Sequence, residues 1–228
     1  MKLEILSKGA FSHLRVLLET NEKFISEAGK MIRMSTNILN DVTTRSKGGD
    51  GGILGGLKRL ISGDSFFFST YTAQNGQGEV VLAPNLLGEV YVLELNKGDT
   101  WMCAGGSYMA SGPDVSLETK FQGMKGLFTG ESLFFLEATG SGPLVVNAFG
   151  AIREKEIDGS YIVDSGHVVA FTPTLEYEIT KGGGSWLDSF LAGEGVVMKF
   201  NGKGKVLLQS HNPSEFGSSV GSKLPPRG

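Results

Sequence analysis

The sequence predicts an all-β fold built from three internal repeats. Short apolar runs rich in Val, Phe, Leu, Thr and Tyr alternate with glycine-containing turns along most of the chain. Glycine accounts for 34 of the 228 residues, about twice its usual share of roughly 7%. A short motif that ends in a glycine and an acid occurs three times. We therefore expect the repeats to form a closed or rolled body of the β-sandwich or β-prism type.

The recurring motif, here called the marker, has the order apolar, two variable, two apolar, small, glycine, acid. The marker glycines lie 67 and 63 residues apart. An alternating stretch precedes each marker, at 42–45, 115–118 and 175–179, and an apolar run follows each marker. A second glycine with another apolar run comes after that. This spacing predicts three units of about 65 residues. The markers end at Gly63-Asp64, Gly130-Glu131 and Gly193-Glu194.

These units define a single β domain over residues 1–212. N-terminal strands are predicted ahead of the first repeat, and a flexible tail is predicted after the last one. The predicted boundaries are 1–28 for the N-terminal strands, about 29–97, 98–165 and 166–210 for the repeats, and 213–228 for the tail.

Turn signals and unpaired strand edges predict where the chain reverses and how copies of the protein associate. Asn201-Gly202 is the strongest hairpin signal, because both central positions of a type I′ turn need positive φ. Lys97-Gly98 and Asp158-Gly159 bound other short runs. Unpaired edges invite aggregation, so edges left over within the chain should pair between subunits. We therefore expect a homo-oligomer, a trimer or a similar ring.

Composition excludes several classes of protein. A net charge of −3 without a polybasic tract argues against nucleic-acid binding. The single cysteine, Cys103, excludes a disulfide within the chain and favours a reducing compartment, so we expect a cytoplasmic location. The N-terminus lacks the apolar block of a secretion signal, and no apolar run reaches the roughly 18 residues that span a bilayer.

The recurring acids are one candidate site. A pseudo-threefold axis would bring Asp64, Glu131 and Glu194 together as a ring of carboxylates, which could bind a cation. In the alternative interpretation, each acid caps a local turn by accepting a backbone N–H.

An aromatic stretch is the second candidate. Trp101, Tyr108 and Met109 surround Gly105-Gly106 and could form an exposed contact patch. Core packing is the alternative for all three residues.

No catalytic, cofactor-binding or metal site is predicted. The histidines His13, His167 and His211 lack the spacing of a metal motif. Asp164-Ser165-Gly166-His167 predicts a turn and not a Ser–His pair, because no G-x-S-x-G elbow accompanies these residues. Cys103 lies in an apolar stretch and is predicted to be a buried thiol. We therefore expect a protein that is not an enzyme.

Several segments in a fixed order carry a family resemblance: 55–63, 82–88, 106–111, 163–171, 193–195 and 207–210. Over about residues 1–212 the chain resembles the altered inheritance of mitochondria protein 24 family. The resemblance implies an all-β fold similar to the tryptophan RNA-binding attenuation protein, built by duplication and often oligomeric. The resemblance implies no established enzyme activity and no cofactor. Mitochondrial members are linked to inner-membrane organisation. The family tail usually reads Gln, a small hydroxyl residue, Arg, whereas this chain has Gln209-Ser210-His211.

Two classes of function follow from these features. The first is an oligomeric β scaffold that binds a partner protein, a membrane surface or a regulatory ligand. The second is a small-molecule or sugar binder, or an enzyme, with a cupin-like cavity in the β roll. RNA binding would rest on fold likeness alone, and the net charge argues against it.

Overall fold

The computed structural model describes residues 1–44, 67–121, 134–180 and 197–225. Within these ranges the fold is predominantly β, which confirms the all-β part of the predicted fold class. The strands are β1 (Lys2–Leu6), β2 (His13–Leu18), β3 (Lys23–Glu27), β4 (Met31–Met34), β5 (Ile38–Thr44), β6 (Phe67–Ala73), β7 (Gly78–Leu82), β8 (Val90–Ala104), β9 (Tyr108–Ser111), β10 (Val115–Phe121), β11 (Phe134–Asn147), β12 (Ile152–Asp164), β13 (Val168–Phe171), β14 (Leu175–Thr180) and β15 (Val197–Gln209).

The described strands form two antiparallel sheets. The smaller sheet has four strands in the order β1-β2-β7-β4. The larger sheet follows the order β12-β15-β13-β8-β11-β9-β3-β6-β5, with β10 added to β11 and β14 added to β15. In β2, Leu14, Val16 and Leu18 are fully buried and alternate with more exposed residues. This period of two places one face of the small sheet on the core.

Apolar side chains from both sheets meet in the interior. Leu14, Val16 and Val80 of the small sheet pack against Phe24 and Tyr71 of the large sheet. An aromatic cluster fills another part of the core, where rings of Phe135, Tyr177 and Phe200 each have centroids 5.2 Å from that of Phe171. These contacts bury the faces that the period-two pattern of the strands makes apolar.

Several strands are longer than the sequence predicts. β8, β11, β12 and β15 have 15, 14, 13 and 13 residues. The predicted hairpin at Asn201-Gly202 is wrong, because both residues lie inside β15 and pair with Ser160 and Gly159. Gly202 does have a positive φ, of 114°, as the predicted turn would require. Here it belongs to a continuing ladder, as glycine can at a bend within a strand.

Three hairpins share one arrangement. β5 pairs with β6, β10 with β11, and β14 with β15, each antiparallel. Each connection contains one marker, and all three markers lie outside the described residues. The alternating stretches predicted ahead of the markers are therefore strands, paired with the strands that follow.

The C-terminal segment 213–228, predicted as a flexible tail, contains helix α1 (Pro213–Gly221). The Asn212 side chain accepts hydrogen bonds from the backbone N–H groups of Ser214 and Glu215 and so caps the helix. Pro213 occupies the first turn, where proline is tolerated. At nine residues, α1 is much shorter than the roughly 20 needed to cross a bilayer, and no helix among the described residues could do so.

Candidate functional site

The outer face of the four-stranded sheet carries a row of alternating charges, here called the charge row. It contains Glu4 on β1, Arg15 on β2, Glu79 on β7 and Arg33 on β4. Arg15 Nε donates to Glu79 Oε2 at 2.5 Å, and Arg15 Nη1 lies 3.4 Å from Glu4 Oε2. Arg33 Nη1 donates to Glu79 Oε1. The row therefore begins with an acid on β1 and ends with a base on β4.

The centre of the charge row is more enclosed than its ends. The Glu79 side chain is 17% exposed and receives hydrogen bonds from two guanidinium groups. The hydrogen bond from Arg15 to Glu79 raises the pKa of Arg15 above its ordinary value. Arg33 and Glu4 at the ends are 60% and 45% exposed. The end groups can thus accept an additional partner from outside the chain.

Both ends of the charge row lie on edge strands. Among the described residues, β1 pairs with β2 and β4 pairs with β7, and neither has a second neighbour. All four residues of β4 are exposed. Met31 and Met34 stand opposite Leu82 and Val80, which are core residues, so they are on the inner side of the sheet yet remain uncovered.

The β4 edge differs from an end of the larger sheet. Strand β12 ends that sheet and carries the charged run Arg153-Glu154-Lys155-Glu156 at exposed positions, a common protection against pairing with another chain. Strand β4 has one charge among three apolar residues. Leu39 and Val42 of the adjoining β5 are also exposed. Strand β4 therefore lacks the run of charges that protects β12.

Two of the segments that carry the family resemblance, 163–171 and 207–210, meet at a junction around Gln209. Its Nε2 donates to the Gly166 carbonyl at 2.8 Å, and its Oε1 accepts from the Phe149 N–H at 2.8 Å. His167 Nδ1 donates to the Gln209 carbonyl at 2.8 Å. These contacts join β15 to a 3-10 turn and to the β11–β12 connection. The junction therefore has a structural role.

The predicted turn at Asp164-Ser165-Gly166-His167 is confirmed. Ser165–His167 form a 3-10 turn, and Asp164 Oδ1 accepts from the Gly166 N–H at 2.8 Å. His211, where the family usually has arginine, has its Nδ1 2.8 Å from Ser210 Oγ and its ring centroid 5.2 Å from that of Phe149. These contacts place His211 at the Gln209 junction.

The aromatic contact patch is not exposed. Trp101, Tyr108 and Met109 are only 8%, 3% and 0% accessible to solvent. Trp101 and Tyr108 belong to one core cluster and Met109 to the cluster beneath the four-stranded sheet. Because other strands cover them, the three residues pack in the core. The predicted exposed contact patch is therefore wrong.

The predicted carboxylate ring lies outside the described residues, since Asp64, Glu131 and Glu194 all fall between the described ranges. Elsewhere in the chain, among the residues that the structure does describe, no group of three or more His, Cys, Asp and Glu could hold a metal ion. The cation-binding ring stays a prediction.

Cys103 is buried, as its apolar surroundings predict. Burial raises the pKa of its thiol from 9.0 to about 12. We expect a thiol reagent such as Ellman's reagent to label native protein negligibly at pH 8 and one thiol per chain after denaturation. The unfolded state releases this proton at lower pH than the folded state, so Cys103 should also lower stability as the pH rises above about 9. Rapid labelling of the native protein would contradict this prediction.

The sequence alone does not identify the charge row. Its members are distant in the chain and meet only through the strand order of the small sheet. Arg15 between Leu14 and Val16 did signal a strand with one polar face. The partners Glu79 and Arg33 could not be assigned without knowing that β7 lies between β2 and β4.

Comparisons with known proteins agree with the resemblance. Residues 3–211 match the family described as Mitochondrial biogenesis AIM24, so the predicted family is confirmed. An uncharacterised protein of Streptococcus pyogenes serotype M6 is 30% identical over 230 residues, covering 99% of this chain and 92% of that protein. The crystal structure of protein SPYM3_0169 from Streptococcus pyogenes has a TM-score of 0.79 and 28% identity, covering 98% of this chain and 99% of that one.

Proposed function

Because this chain belongs to the Mitochondrial biogenesis AIM24 family, we propose that it is a non-enzymatic, oligomeric scaffold or binding protein. The observation that carries the proposal is the β4 edge, a strand of three apolar residues and one arginine, all four of which are exposed. An edge of this kind pairs readily with another chain. The role in membrane organisation or regulation that the family resemblance suggests is part of the same proposal.

The finer architecture belongs to this proposal as well. We infer that the three hairpins are equivalent units of a body built by duplication, similar to the tryptophan RNA-binding attenuation protein. The support is their common form: each pairs the strand before a marker with the strand after it. A duplicated body of this kind has edges that can be shared among copies in a ring.

The packed interior favours a scaffold over a cupin-like ligand cavity. Three clusters of buried apolar side chains occupy the described core. Large side chains such as Tyr71, Phe135 and Phe171 lie in these clusters at no more than 1% exposure. A ligand pocket normally adds a few convergent polar groups to an open cleft. The described interior instead consists of close side-chain packing.

The test is the mass of the protein in solution. Gel filtration with multi-angle light scattering at micromolar concentration should give a mass at a whole-number multiple of the 24.3 kDa chain, with three chains the expected number. Dilution across a wide range will measure the strength of the association. A protein that remains monomeric at every concentration would refute the oligomeric scaffold.

A further inference from the structure

We propose that the β4 edge of one copy pairs with the β1 edge of a second copy, so that four-stranded sheets join head to tail. The inference rests on the proposed function and specifies the contact by which copies assemble. In the proposed register, Arg33 lies opposite Glu4 of the second copy and Met34 lies opposite its Leu3.

Charge complementarity selects this pair of edges. The charge row ends with Arg33 on β4 and Glu4 on β1, and both of these side chains are exposed. Joining β4 to β1 places the base beside the acid and continues the alternation from copy to copy. Pairing β4 with β4 in the equivalent register would bring two arginines together, and β1 with β1 would oppose two glutamates. Like charges directly opposite each other destabilise a strand pair.

One pair of inner-side apolar residues meets in the same register. Met31 and Met34 are on the inner side of β4 but remain exposed at its edge. Leu3 and Ile5 are on the inner side of β1 and pack partly against the core. In an antiparallel pair, placing Glu4 opposite Arg33 also places Leu3 opposite Met34. The core would thus continue across the contact while the charges remain outside.

The strand directions also agree. Three successive antiparallel pairs separate β1 from β4, so these two edge strands run in opposite directions. A second copy in the same orientation therefore presents its β1 antiparallel to the β4 of the first copy. Contacts between two different surfaces close into a ring when the rotation between copies permits it.

Cysteine crosslinking tests the proposed contact. Glu4→Cys and Arg33→Cys are made on separate chains, mixed, and treated with a short bismaleimide. The mixture should give a covalent dimer, and each variant alone should give none. The native Cys103 is buried and its thiol pKa is raised to about 12, so it should not react. Mass spectrometry of the digest identifies which two positions are joined.

A second pair of cysteine variants tests the same contact without removing a charge from it. Leu3→Cys mixed with Met34→Cys leaves the charge row intact and should give the same mixed product. The matched control is Asp158→Cys mixed with Lys203→Cys, whose ion pair of 3.1 Å is exposed on β12 and β15 and should give no dimer. Thermal melts confirm that each variant is folded.

The outcomes separate the two proposals. If the protein is oligomeric but neither mixed pair crosslinks, or if Arg33→Cys or Glu4→Cys crosslinks to itself, the head-to-tail contact is wrong and the oligomeric scaffold remains. If the unmodified protein is monomeric in light scattering, the proposed function fails and this contact fails with it.

Discussion

Replacing Phe171 with alanine is expected to lower the free energy of unfolding by about 3–5 kcal/mol, the usual cost of removing a buried phenylalanine. Phe171 is 1% exposed. Its ring lies 5.2 Å, centroid to centroid, from the rings of Phe135, Tyr177 and Phe200. The substitution removes all three aromatic contacts and leaves a cavity that the surrounding strands can fill only in part.

The measurement is a urea or guanidinium unfolding curve, supported by a thermal melt. For a chain of this size each kcal/mol corresponds to roughly 2–4 °C in Tm, so the transition should fall by about 6–20 °C. Phe11→Ala is the matched control, because Phe11 is 70% exposed and surface substitutions usually change stability by about 0.5 kcal/mol or less. Equal losses in the two variants would contradict the assigned aromatic core.

Replacing Gly88 with alanine is expected to cost at least about 3 kcal/mol, at the upper end of the range for overpacking. A Cβ at this position would lie 1.9 Å from the Ala148 carbonyl oxygen and 2.7 Å from the Gly150 nitrogen. Both atoms are backbone, so neither can move aside as a side chain would. Relief requires separating the two segments and weakening the hydrogen bonds that join Gly150 to Leu87 and Glu89.

Unfolding curves test this prediction too, with Gly217→Ala as the control. Gly217 lies in α1 with nothing within 4 Å of an added Cβ, and alanine favours a helix over glycine by about 1 kcal/mol. The Gly217 variant should therefore be unchanged or slightly more stable. A Gly88 variant as stable as the original protein would show that the two segments do not approach so closely.

The candidate site was only partly predictable. The sequence indicated that β edges would pair between copies, because many short strands imply unpaired edges. It did not indicate which edges. Met31 and Met34 have the apolar character of core residues, and their exposure follows from the final position of β4 in the small sheet. The opposite holds for the aromatic stretch. Trp101, Tyr108 and Met109 were predicted as an exposed contact patch, but strands distant in sequence cover them.

The local pattern of apolar and polar residues by itself determined that this is a β protein. The order of its recurring segments indicated its family. Period-two alternation in β2 and the alternating stretches before the markers are properties of a few consecutive residues, and they became strands as predicted. Strand order, the lengths of β12 and β15, and the neighbours of Glu79 were decided by tertiary structure. The physical reason is that backbone pairing joins residues distant in the chain and depends little on side-chain identity. Which strands meet, and which edges remain open, is therefore settled only when the sheets pack together.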